Sequence, residues 1–144
     1  MIFVSSRFYV IWIHCLQKKI IDKYDPVIYP RLLYVCKNCT LKDLRDRFTT
    51  RRDTEISDEW DPLNGTFTLY AIDKKTKDRV IVVCISYEND SMENYVSDIC
   101  HEAEHVKQSI FEDIGLPTTV DSQEADAYLV GWAAKCIYTT FIKK

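Results

Sequence analysis

The apolar period of this chain changes once, and that change restricts the fold more than any single motif does. Up to about residue 87 the apolar residues come in short runs: LLYVC (32 to 36), FTLYAI (67 to 72) and RVIVVCISY (79 to 87). From residue 90 onward they recur every three or four positions. Short β-branched and aromatic runs bounded by turn-forming residues read as strands, whereas a 3.6-residue period marks one face of a helix. Strands first and helices last imply an α+β fold, a small, mostly antiparallel sheet packed on two long C-terminal helices.

The finer reading follows from caps and breakers. FYVIWIHCL (8 to 16) has strand character, and Pro26 and Pro30 interrupt the chain before the next strand. Thr40 is placed as the N-cap of a short helix carrying Leu41, Leu44 and Phe48, and the polar stretch from 49 to 65 ends in the turn DPLNG. The runs at 67 to 72 and 79 to 87, separated by DKKTKD, read as an antiparallel hairpin. Asp90 and Glu93 have capping-box spacing, and Met92, Val96, Ile99, Ala103, Val106 and Ile110 keep one stripe up to Gly115 and Pro117. This predicts a helix over about 91 to 114. Asp121 and Glu124 repeat the spacing ahead of a stripe of Ala125, Leu129, Trp132, Cys136 and Thr140. With 144 residues, 47% of them hydrophobic, the chain has the size of one domain, strand-rich over 1 to 89 and helical over 90 to 144.

A formal charge of −3 gives no overall attraction to nucleic acid or to an anionic membrane. The basic residues Lys42, Arg45, Arg47, Arg51 and Arg52 alternate with Asp43, Asp46 and Asp53, as on a solvated helix face. Six cysteines at irregular spacing with no export signal before them imply buried thiols in a reducing, cytoplasmic compartment. The apolar start MIFVSSRFYVIWIHCLQKK is interrupted by Arg7 and His14 and is too short to span a bilayer.

Only three histidines occur, and two of them, His101 and His105, fall four residues apart within HEAEH. At that spacing both imidazoles lie on one helix face and can meet one metal ion. They fall away from the apolar stripe, so the core does not require them. In an HExxH site the glutamate after the first histidine is not a ligand; it is the general base towards water and then the acid towards the leaving amine, a role that falls to Glu102. Zinc needs a third protein ligand and an open position. His14 is far upstream among apolar residues, and the longer HExxHxxGxxH pattern fails because Gln108 and Phe111 occupy its last two defined positions. A carboxylate or cysteine must therefore complete the set. Glu124 is the leading candidate, flanked on its own face by the small residues Ala127 and Gly131; Asp121 and Asp126 are substitutes, and a plain capping role for Glu124 competes.

HEAEH followed after a short loop by EADAYLVGWAA resembles the gluzincin zinc metallopeptidases, and more narrowly the ImmA/IrrE-like peptidases and small HExxH proteins of bacteriophages. The resemblance spans residues 90 to 135. It implies a minimal zincin-like fold, Zn²⁺ held by His101, His105 and Glu124, Glu102 as base, and a protein or peptide substrate in a bacterial or phage-infected cell. It further implies that RVIVVCISY is an edge strand that pairs with the substrate backbone. No family signature precedes residue 90, and no oxyanion-stabilising group is assigned by motif; Tyr128, one turn after Glu124, and Tyr95, on the HEAEH helix, are candidates for which a plain core role competes. Cys36 and Cys39 have the spacing of half a zinc knuckle, but no second pair accompanies them, so buried thiols at a strand end are expected. Cys100 is placed beside the apolar stripe. The competing functional class is a non-catalytic metal-binding or interaction protein built on a peptidase-like fold.

Overall fold

The computed structural model describes residues 17 to 86 and 91 to 144. The expected strand at 8 to 16, the placement of His14, the end of RVIVVCISY at Tyr87 and the capping role of Asp90 lie outside the described residues. Within them, five strands and three helices follow one another: β1 (Ile20–Tyr24), β2 (Leu32–Lys37), α1 (Leu41–Arg47), β3 (Phe48–Thr50), β4 (Phe67–Asp73), β5 (Arg79–Ile85), α2 (Met92–Ile114) and α3 (Gln123–Phe141). The strands form one sheet in the order β1-β2-β5-β4-β3. The β2–β5 pair is parallel and the other three pairs are antiparallel, including the expected β4–β5 hairpin. The α+β class with its mostly antiparallel sheet and C-terminal helices is as read from the sequence. β1 and β3 are additions: the first carries the charged Asp22 and Lys23, and the second is three residues long, so neither has a clear apolar pattern.

Alternation along β2 and β5 gives the sheet two buried faces. Leu33, Val35, Ile81, Val83 and Ile85 point to one side, where Ile99, Ala103, Val106 and Ile110 of α2 and Leu129, Ala133 and Ile137 of α3 cover them. Tyr34, Cys36, Val80, Val82 and Cys84 point to the other, under Leu44 of α1, Phe48 and Ile56. Fully burying a side chain such as Ile110 contributes on the order of 1.5–3 kcal/mol, so the two long helices are held mainly by this layer. On α2 burial begins at Ile99; Met92 and Val96, assigned to the stripe by period, are exposed. The Tyr95 and Phe141 rings meet at 4.4 Å, bringing the start of α2 to the end of α3, so the two helices run antiparallel.

The helix ends use local chemistry. Thr40 and Asp43 form the expected capping box on α1. Ser91 caps α2 by accepting the Asn94 amide at 3.1 Å, and Gly115 ends it in the left-handed region at φ 66°. The Asp121–Glu124 box does not form. A 3-10 turn over Val120–Ser122 precedes α3, and its box joins Thr119 to Ser122. The two-residue shift arises because Thr119 and Ser122 hydroxyls satisfy the free amides first.

On the face opposite the long helices, the fully buried Asp73 carboxylate accepts hydrogen bonds from Arg47 (2.7 Å), Tyr34 (3.0 Å) and the Lys75 amide (2.8 Å). Burial alone would raise its pKa, but these donors outweigh burial and hold it below the ordinary carboxylate value. Its stabilising effect is therefore complete above the ordinary carboxylate range and lost as pH falls through the depressed value. Asp73→Asn should destabilise the chain by about 1.5–3 kcal/mol at neutral pH in urea unfolding, with a flatter acid limb than the parent.

Candidate functional site

His101 and His105 sit on α2 opposite the stripe that meets the sheet, and both are exposed. Their Nε2 atoms are 3.0 Å apart and the rings meet edge to face at 79°. The Nδ1 of His105 lies 3.1 Å from the Gln108 side-chain oxygen, and the Gln108 amide in turn donates to Glu104 at 3.1 Å. An amide oxygen can only accept, so this chain places the His105 proton on Nδ1 and leaves a lone pair at Nε2. Two imidazoles whose Nε2 atoms converge from exposed positions fit the nitrogen end of a metal site.

Glu102 differs from its neighbours because it is one step round the helix, towards β4. It is 5% exposed, and Thr68 of β4 donates to its carboxylate at 2.6 Å. Burial raises its pKa above the ordinary value, opposed by the Thr68 hydrogen bond and the two nearby histidines. A proton acceptor with an elevated pKa, hydrogen-bonded in place and facing a cleft, is suited to general base work.

The cleft, about 470 Å³, opens between α2 and β4. Thr66, Thr68 and Tyr70 line the strand side, and Arg51 and Trp60 reach in from the β3–β4 connection. The Tyr70 hydroxyl is held by Asp113 and by Arg31, whose Nε lies 3.2 Å away. Arg51 stacks over the Tyr70 ring at 5.4 Å. β3 pairs only with Ala71 to Asp73, because the chain turns away after Thr50 through the Asp53 amide to Thr50 oxygen bond at 2.9 Å. Phe67 to Tyr70 therefore pair with β5 on one side and, among the described residues, with no strand on the other.

The structure brings together three of the sequence-predicted residues, His101, Glu102 and His105. Glu124 does not join them. Among the described residues no third His, Cys, Asp or Glu completes a group placed to hold a metal ion. The reason is rotational. Leu129, Ala133, Ile137 and Thr140 bury one stripe of α3, which turns Glu124, Ala127 and Gly131 to solvent on the opposite face. The small residues buried in the layer shared by the two helices and the sheet are Ala103 and Ala133 instead. Axial offset adds to this, since α3 starts beside the end of α2, about 20 Å along the helix from His101. Asp121 is exposed, and Asp126 accepts from Ser122 at 3.3 Å.

Three further expectations are corrected. β5 is not an edge: it lies mid-sheet with β2 and β4 on its two sides, and its six buried residues are covered on both faces. Tyr95 stacks on Phe141 and Tyr128 is exposed on α3, so neither lines the histidine cleft; the tyrosine that does is Tyr70. Cys100 is exposed rather than packed beside the apolar stripe. Cys36 and Cys39 are buried, as expected, with the Cys39 thiol 3.6 Å from the Ile20 carbonyl oxygen. Thr68, Tyr70 and Gln108 were not singled out in the sequence. Gln108 had a local signal, three positions after His105, while the strand residues had none.

No protein-family model, curated protein or solved structure matches this chain. The cleft geometry carries two expectations of its own. Nitrogen NMR of the histidines should find His105 in the Nδ1–H form, and Gln108→Leu should abolish that preference. Thr68→Val, which strips a buried carboxylate of its hydroxyl donor, should cost about 1.5–3 kcal/mol in thermal or urea unfolding at neutral pH.

Proposed function

We propose that this chain is a zinc-dependent peptidase of minimal zincin-like type, with His101 and His105 as metal ligands and Glu102 as the general base. The observation that carries the reading is the pairing of two exposed, converging imidazole nitrogens with a buried, hydrogen-bonded glutamate on the same helix, all facing one cleft. A zinc ion at the histidine pair would polarise a peptide carbonyl and an attacking water molecule. Glu102 would accept the proton from that water and deliver it to the nitrogen of the departing amine as the C–N bond breaks. Thr68 would keep the carboxylate oriented through both transfers.

The open part of β4 supports a peptide as the substrate. A chain segment continuing the line of β3 would lie along Phe67 to Tyr70, antiparallel to β4, and bring its backbone past Glu102 and the histidines. Backbone pairing to such an edge needs no particular side chains. This moves the docking strand from β5, as read from the sequence, to β4.

One observation favours the second reading, a metal-binding module without hydrolysis. Among the described residues only two donors converge, and α3 turns Glu124 to solvent. Elemental analysis and a protease assay separate the two. The chain purified without added metal should carry about one zinc, lost in His101→Ala and retained in Glu124→Ala; loss in both would return Glu124 to the ligand set. Turnover of labelled casein should fall by about 10²-fold or more in Glu102→Gln with zinc retained. Zinc binding with no turnover in the parent protein would select the non-catalytic module, and a parent chain that takes up no zinc would defeat both.

A further inference from the structure

We infer that the cleft selects extended peptides bearing an acidic side chain, which Arg51 reads; as a statement about substrates this rests on the peptidase reading, but as a statement about binding it does not. Among the described residues lining the cleft, Arg51 is the one permanent cation. Its guanidinium is held over Tyr70 at 5.4 Å, and that ring is itself fixed at its hydroxyl by Asp113 and Arg31. Stacking on an anchored ring orients a guanidinium while leaving its edge N–H groups for a partner.

Two carboxylates also line the cleft, and neither removes that capacity. Glu102 is taken up by Thr68 at the far end. Glu112 approaches Arg51 at 3.6 Å, but their side chains are 60% and 67% exposed, so the pair is solvent-screened and open to exchange. A guanidinium has five N–H donors and can hold a second carboxylate beside the first.

The fold also sets where the acid must lie. Glu112 is seven residues beyond His105, about 10 Å along the helix, which equals roughly three residues of extended peptide. β3 runs towards the open edge, and Arg51 follows its last residue. A peptide continuing that line meets Arg51 first and the histidines afterwards. The acidic side chain therefore belongs about three residues on the amino side of the bond presented at His105.

The test uses the full chain carrying Glu102→Gln and fluorescein-labelled peptides that differ only in Glu, Gln or Lys at one position, measured by fluorescence anisotropy. The Glu peptide should bind about fivefold more tightly than the Gln peptide at low salt, and the difference should shrink in 0.5 M salt as exposed charges are screened (roughly a 4 Å Debye length). Arg51→Gln should erase the preference, Arg51→Glu should reverse it towards Lys, and Glu112→Gln, which removes the competitor, should enlarge it. A preference that survives Arg51→Gln, or the absence of any peptide binding, overturns the inference. The same peptides offered to the parent chain separate this inference from the peptidase reading. Cleavage indifferent to charge would sink the acidic preference alone, whereas charge-dependent binding without cleavage would sink the peptidase alone.

Discussion

From Val80 to Ile85 the chain is buried on both faces and paired along both edges, and the rest of the molecule is placed by that demand. A continuous apolar run cannot leave one face in water, so the sheet needs cover on each side. The two long helices supply one cover; α1, Phe48 and Ile56 supply the other. Because β2 and β4 fill the two edges of β5, its backbone is closed to a further strand, and among the described residues it is the first half of β4 that lacks a strand on the side away from β5. That is the segment against which Glu102 packs.

The division of labour around α2 follows from the angle each residue makes with the sheet. Ala103, Val106 and Ile110 face it and are fully buried. Glu102 falls on the flank nearest β4, where burial raises its pKa and Thr68 offers a hydroxyl. His101 and His105 fall on the far side and are exposed, with Gln108 holding His105 through Nδ1 and the two Nε2 atoms converging. One helix thus presents a buried carboxylate and two exposed imidazoles to the same cleft, which is the combination on which the proposed chemistry depends.

α3 faces a conflict between two uses of one helix. Its apolar stripe must meet the sheet and α2, and Glu124 lies on the opposite side of that stripe. Packing wins, because several buried side chains each contribute more than one exposed carboxylate could gain without a bound ion. The glutamate helix forms where the period places it, yet its leading carboxylate is held away from the histidines.

Period and caps carried much of the fold: the β4–β5 hairpin, the Thr40 cap and both long helices can be read directly from their local residues, because hydrophobic spacing and hydroxyl caps act within a few positions of the chain. HEAEH is legible for the same reason, since residues four apart on a helix are neighbours wherever the helix goes. What local sequence could not supply was pairing between distant segments. That β5 takes β2 as a parallel neighbour, that β3 stops at Thr50 and leaves the β4 edge open, and that Thr68 meets Glu102 across 34 positions are decided only when the sheet assembles. The sequence by itself determined which side chains share the histidine face of α2; the tertiary structure alone decided which strand lines it and that Glu124 is turned from it, because those depend on how one buried stripe docks against another.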